Sequence, residues 1–140
     1  MSVESAFYTY LSGVSAVSSL VGDRIYPGVA PAGADLPMIT QQRISQRRYP
    51  NFAASGGMVR TRQQLDVYAA TQGAVDTIVE ALRDALDGWR HATMSTEQVF
   101  SVQIENVRFG YESPSDGSDI GVHSAGVDFV LMHRESVPTF

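Results

Sequence analysis

The chain has no cysteine and no lysine. Without a thiol it can form no disulfide framework, thiolate metal site or cysteine nucleophile, and redox chemistry of its side chains is largely excluded. All ten cations are arginine. In an alanine-rich chain this reads as the imprint of a GC-rich genome and carries no mechanism by itself. Long apolar runs are missing too: the longest span only a few residues, far short of the ~20 that a membrane helix needs. The N-terminus has no positive region followed by an apolar stretch, the mark of a secretory signal. A cytosolic protein with no membrane partner is expected.

Cations are outnumbered as well. Fifteen acids against ten arginines give a net charge of −5, which disfavours a conventional nucleic-acid binder, because such affinity comes mainly from cations displacing counterions on phosphate. The signatures of common active sites do not occur: there is no glycine-rich phosphate loop, no G-x-S-x-G elbow and no H-E-x-x-H. Gly56 and Gly57 sit in an expected hairpin tip, not between a strand and a helix where phosphate binding would need them. Of the three histidines, His91, His123 and His133, the last two fall on one strand roughly 33 Å apart if it is straight. They cannot share a metal within one chain, and surface or edge roles are expected of them. No catalytic, cofactor-binding or metal site is expected, and the chain reads as non-enzymatic.

What is present suits one globular domain over residues 1–140. Hydrophobic residues make up 44% and charged residues 18%, and a chain of this length buries roughly two thirds of its unfolded surface. Val3, Ala6, Phe7, Tyr10, Leu11 and Val14 recur at the spacing that places them on one helix face. Gly13 interrupts that helix, and a short second segment carries Val17, Leu20 and Val21 before Gly22 ends it. Three prolines and two glycines between residues 23 and 37 predict a loop, with a short strand at residues 24–26. Residues 38–45 and 59–69 alternate at a period of two and predict a hairpin with a long tip at residues 46–58. Thr71 can cap a helix with apolar positions Val75, Ile78, Val79, Leu82 and Leu86, stopped by Gly88 in a left-handed conformation.

Residues 99–111 and 122–133 alternate again, joined by the turn-rich Ser113-Pro114-Ser115-Asp116-Gly117-Ser118. The apolar phase slips from Phe100, Val102 and Ile104 to Val107, Phe109 and Tyr111, which predicts a bulge near Glu105 and Asn106. The order helix, two strands, helix, two strands predicts an α+β fold: an antiparallel or mixed sheet of two long hairpins with two main helices packed on one face. A flexible C-terminal tail is expected at residues 136–140.

Two features invite chemistry. Asp66 and Asp128 interrupt apolar strands, and a carboxylate pair on neighbouring strands can do acid/base work; alternation also explains both as outward-facing residues, and that reading is preferred. The tip contributes Arg47, Arg48, Tyr49 and Phe52, followed on the next strand by Arg60 and Arg62. These residue types are enriched at protein interfaces, so the six form the candidate interface. A solvated loop explains them equally well, and phosphate contact through Arg43, Arg47, Arg48, Arg60 and Arg62 is a third reading.

The segment Leu20-Val21-Gly22-Asp23-Arg24-Ile25-Tyr26-Pro27 resembles the signature of the tail-completion, or tail-terminator, family of long-tailed bacteriophages, prophages and gene-transfer particles. In the same order, Ala30-Pro31, Leu36-Pro37-Met38-Ile39 and Gln42-Arg43-Ile44-Ser45 resemble its loop and first long strand. Leu65-Asp66-Val67-Tyr68-Ala69 resembles the strand entering its second helix, and Val127-Asp128-Phe129 with His133-Arg134-Glu135 resembles its closing strand. The resemblance implies a structural virion protein of the tail-neck region, assembled in the host cytoplasm. Such a protein forms a homohexameric ring on the head-proximal end of the tail tube, stops tube growth and offers a docking surface to the head-closure or connector protein. Its partners would be itself, the tail tube protein and that connector, with DNA passing through the ring without specific binding. No active site or cofactor comes with the resemblance. The competing readings are a head-closure or connector-adaptor neck protein, a small nucleic-acid-binding module using the arginine-rich hairpin, and a hydrolase using Asp66 and Asp128.

Overall fold

The computed structural model describes residues 3–50, 55–90, 93–95, 97–113 and 121–135. Helix α1 (Val3–Ser12) and helix α2 (Ser15–Val21) form the expected broken N-terminal helix. α1 buries Val3, Ala6, Phe7 and Leu11, the stripe its periodicity marks. Gly22 closes α2 at φ 63°, a conformation glycine adopts without steric cost, and its N–H donates to the Ser18 carbonyl.

Six strands follow the order β1-β2-β3-β6-β5-β4 in one sheet. Strand β1 (Ile25–Pro27) runs parallel to β2 (Met38–Pro50), and β2 pairs antiparallel with β3 (Ser55–Ala69). After helix α3 (Gln72–Leu86) come the two-residue β4 (Thr93–Met94), then β5 (Glu97–Glu112) and β6 (Val122–Arg134). β6 pairs with both β5 and β3, so the two hairpins join along β3 and β6 at the centre of the sheet. The sheet is therefore mixed, through β1, and the fold is α+β, with three helices among the described residues. β2 and β3 run further toward residues 51–54 than alternation alone predicts, taking residues 46–50 and 55–58 into strand. Residues 51–54, the joining turn at 114–120 and the tail at 136–140 lie outside the described residues.

The bulge expected near Glu105 lies there: the β5–β6 register shifts between Ile104 and Asn106. Further shifts occur between Val99 and Ser101 and, in β2, between Arg43 and Ser45. Residues paired across strands share a face of the sheet, so the register defines two faces. One carries Ile39, Leu65, Val67, Val127, Phe129 and Leu131, all buried against the helices in one core. Phe7 of α1 meets Phe129 at 5.9 Å between ring centroids. The Tyr10 hydroxyl donates to the Ala85 carbonyl at 2.9 Å and ties α1 to α3. Thr71 caps α3 as expected, its hydroxyl accepting from the Ala74 N–H at 3.1 Å. Toward the β2–β3 end this face turns polar, with Gln41, Thr61, Gln63 and His133 buried.

Candidate assembly surface

Among the described residues no helix lies on the opposite face of the sheet, and its side chains follow from the register. Thr40, Asp66, Gly126 and Arg108 stand in one row across β2, β3, β6 and β5; Gln42, Gln64, Asp128 and Asn106 stand in the next. One row further, Ser45 pairs with Arg62 and Arg62 with Val130. Asp128 thus lies diagonally between Arg62 and Arg108, within reach of long side chains on both neighbouring strands.

Both guanidiniums use that reach. Arg62 donates to Asp128 Oδ2 at 2.6 Å and Arg108 to the same oxygen at 2.8 Å. Asp128 is fully covered, whereas the two arginine side chains stay 35% and 49% exposed and form a lid over it. Burial pushes the Asp128 carboxyl upward, but the hydrogen bonds from Arg108 and Arg62 together with their charges outweigh it and hold the group below the ordinary carboxylate range. The expected outward-facing role of Asp128 is corrected in one respect: it lies on the helix-free face but is sealed there. Asp66 accepts from the Gln64 side-chain amide at 2.7 Å on the same face. A Cβ at Gly126 would stand 2.9 Å from Arg108 Nη2 and 3.2 Å from Asp66 Oδ1, so this glycine leaves room for the lid to close. Glu105, at the β5 bulge, stands 3.5 Å from Arg60 and 3.8 Å from Arg62.

The candidate interface residues divide between the two faces. Arg47 and Arg60 are register partners, so Arg47, Tyr49, Arg60 and Arg62 share the helix-free face. The Arg47 guanidinium lies 5.6 Å from the Tyr49 ring centroid, a cation–π contact. Arg48 pairs with Val59 and belongs to the other face, where it makes a short two-pronged ion pair with Glu135. Phe52 lies outside the described residues. Arg62 is committed to Asp128, Arg48 to Glu135 and Arg60 to Glu105, so of the five arginines between residues 43 and 62 these three are already engaged within the chain.

Two residues carry roles that their local sequence does not mark. His133 is 3% exposed, not a surface or edge residue; its Nε2 lies 2.5 Å from Thr61 Oγ1, and burial pushes its pKa below the usual histidine value. Arg108 has no signal as a site residue, because its partner Asp128 is distant in sequence and only the β5–β6 register brings the two together.

This fold and surface can be set beside known proteins. None of the curated proteins matches. Among solved structures, a chain of the virion of a native gene transfer agent particle superposes with a TM-score of 0.75, at 13% identity, covering 95% of each chain. The sequence of residues 5–129 matches the family described as Tail completion protein gp17. That match extends from α1 into β6, across both hairpins and all three helices, and the chain therefore belongs to the tail completion protein gp17 family.

Proposed function

We propose that this protein assembles with copies of itself into a ring, a homohexamer, at the head-proximal end of a phage tail tube, where it ends tube growth and presents the surface to which the head connector docks. It acts without catalysis, as a structural part of the virion's tail-neck region put together in the host cytoplasm. The observation that carries this reading is the family match over residues 5–129. Its support from likeness is a fold shared end to end with a chain of a gene transfer agent virion. The architecture is compatible with it. A ring needs two different patches on each subunit, and the β2–β3 and β5–β6 hairpins end at opposite ends of the sheet because β2 and β5 run in opposite directions. A net charge of −5 also suits a channel through which DNA slides without sticking.

The deciding experiment is electron microscopy of particles from a lysate lacking this one gene product. The expected result is overlong or irregular tails beside separate DNA-filled heads. Normal tails with empty or leaking heads would instead assign the protein to head closure, and intact infectious particles would overturn the neck assignment.

A further inference from the structure

Both edges of the sheet are only partly covered. β1 pairs with Ile39, Thr40 and Gln41 of β2, and along residues 42–50 the outer edge of β2 has no strand partner among the described residues. On the far side, β4 covers Glu97 and Gln98 of β5. The segment after α3 covers the next part: Trp89 bridges Val102, and Asp87 accepts from the Ile104 N–H at 3.0 Å. Among the described residues, no strand pairs with the outer edge of residues 105–112 of β5. An uncovered strand edge is a template for another strand, and proteins usually blunt it. Here each stretch carries a bulge, at Arg43–Ser45 and at Ile104–Asn106, and charged side chains, yet neither is short and both expose side chains on each face.

We infer that the open edge of β2, residues 42–50, pairs with the open edge of β5, residues 105–112, of a second copy of this chain, so that the sheet continues from subunit to subunit. The inference rests on the ring reading and specifies its subunit contact. Three observations carry it. First, six large apolar side chains are exposed among the described residues, and four lie on these two stretches: Ile44 and Tyr49 at 42% and 39%, Phe109 and Tyr111 at 59% and 56%. Exposed apolar area concentrated on two open edges marks contact surface. Second, the charges are complementary. β2 offers Arg43, Arg47 and Arg48 with no acid, and β5 offers Glu105 and Glu112 with Arg108. Arg48 and Arg108 are held within the chain by Glu135 and Asp128, and Glu105 by Arg60 and Arg62; Arg43 and Arg47 are left facing Glu112. Pairing β2 with another β2 would oppose like charges, so head-to-tail contact is favoured over a symmetric dimer.

Third, strand direction permits closure. β2, β3, β6 and β5 alternate in direction. Rotating a copy about an axis to which the strands are tilted brings β5 beside the next β2 in antiparallel sense. The two open stretches lie at opposite ends of the sheet, so the pairing is staggered along the strands, as it is wherever tilted strands close on themselves.

The test places the photoreactive residue benzoylphenylalanine at Phe109, an exposed site where an aromatic side chain is already accommodated. Irradiation is carried out both on the purified full chain and on tails isolated from producing cells. The expected product is a ladder of chain-to-chain adducts whose cross-linked peptides fall in residues 42–50. Adding Ile44→Asp, an exposed substitution, should lower adduct yield at least about tenfold while leaving the circular dichroism spectrum unchanged. Ladders mapping to another segment would overturn the edge pairing and leave the ring standing. Adducts only with other particle proteins, or none, would overturn the edge pairing; if microscopy of the same sample also showed no ring, the ring reading would fall with it.

Discussion

Asp128 is the residue whose chemistry the structure defines best. Its carboxylate holds two guanidiniums, at 2.6 and 2.8 Å, and is itself out of solvent. Asn in its place keeps an acceptor oxygen but loses the charge that both guanidiniums share, so two cations face a neutral amide, a larger loss than the pair's net worth. Because the arginines are partly solvated, Asp128→Asn should lower stability by about 1–3 kcal/mol in urea denaturation at neutral pH. The pH dependence follows from the sign of the shift. The folded pKa of Asp128 is depressed, so its contribution is fully present above the unfolded carboxylate value of about 3.9 and is lost as pH falls through the lower folded value. The substitution should therefore cost least in acid. His133 works in another window. Burial lowers its folded pKa, so below the unfolded value of about 6.5 the unfolded chain binds more protons, and stability falls as pH drops through that range. Denaturation midpoints measured between pH 7.5 and 5.5 should decline for the natural chain and decline less for His133→Gln; equal slopes would show that His133 is not the group responsible.

At the scale of elements, α3 separates local from tertiary stabilisation. Thr71→Ala removes a side-chain cap and should cost about 1 kcal/mol. Leu82→Ala, which opens a cavity at a fully buried position facing the sheet, should cost about 2–5 kcal/mol. Comparable losses for the two, measured by calorimetry, would mean that α3 contributes mainly through its own formation and not through packing. The helices were legible in the sequence because their signals are local: the 3.6-residue stripe, Thr71 at one end of α3, Gly22 and Gly88 as left-handed stops. The β5 bulge was legible for the same reason, since a phase slip is written in consecutive residues. The lengths of β2 and β3 were not. Residues 46–50 lack clear apolar alternation, and they are strand because β3 lies beside them and continues the ladder to the Pro50–Ser55 pair.

For the molecule as a whole, the balance of charge predicts indifference to DNA. Five arginines cluster between residues 43 and 62, but three are engaged by Asp128, Glu135 and Glu105, and the net charge is −5. Electrophoretic retention of duplex DNA should be undetectable at physiological salt and weak even at low salt. A complex whose affinity falls steeply with added salt would instead support the nucleic-acid-binding reading of the hairpin.

The sequence by itself determined the kind of object this is: an α+β body of two hairpins and a broken first helix, without thiols or a catalytic signature, ordered so that its motifs align with one family. Those properties are carried by residues near one another along the chain. Tertiary structure decided what the candidate surface consists of. The pairing of β3 with β6 placed Arg62 over Asp128, and the β5–β6 register added Arg108, which no local pattern marks. The same pairing divided the arginine-aromatic hairpin between two faces, tying Arg48 to Glu135 and leaving Arg47 and Tyr49 on the helix-free side. It also set which strand edges remain open, because an edge is defined by the neighbour a strand does not have.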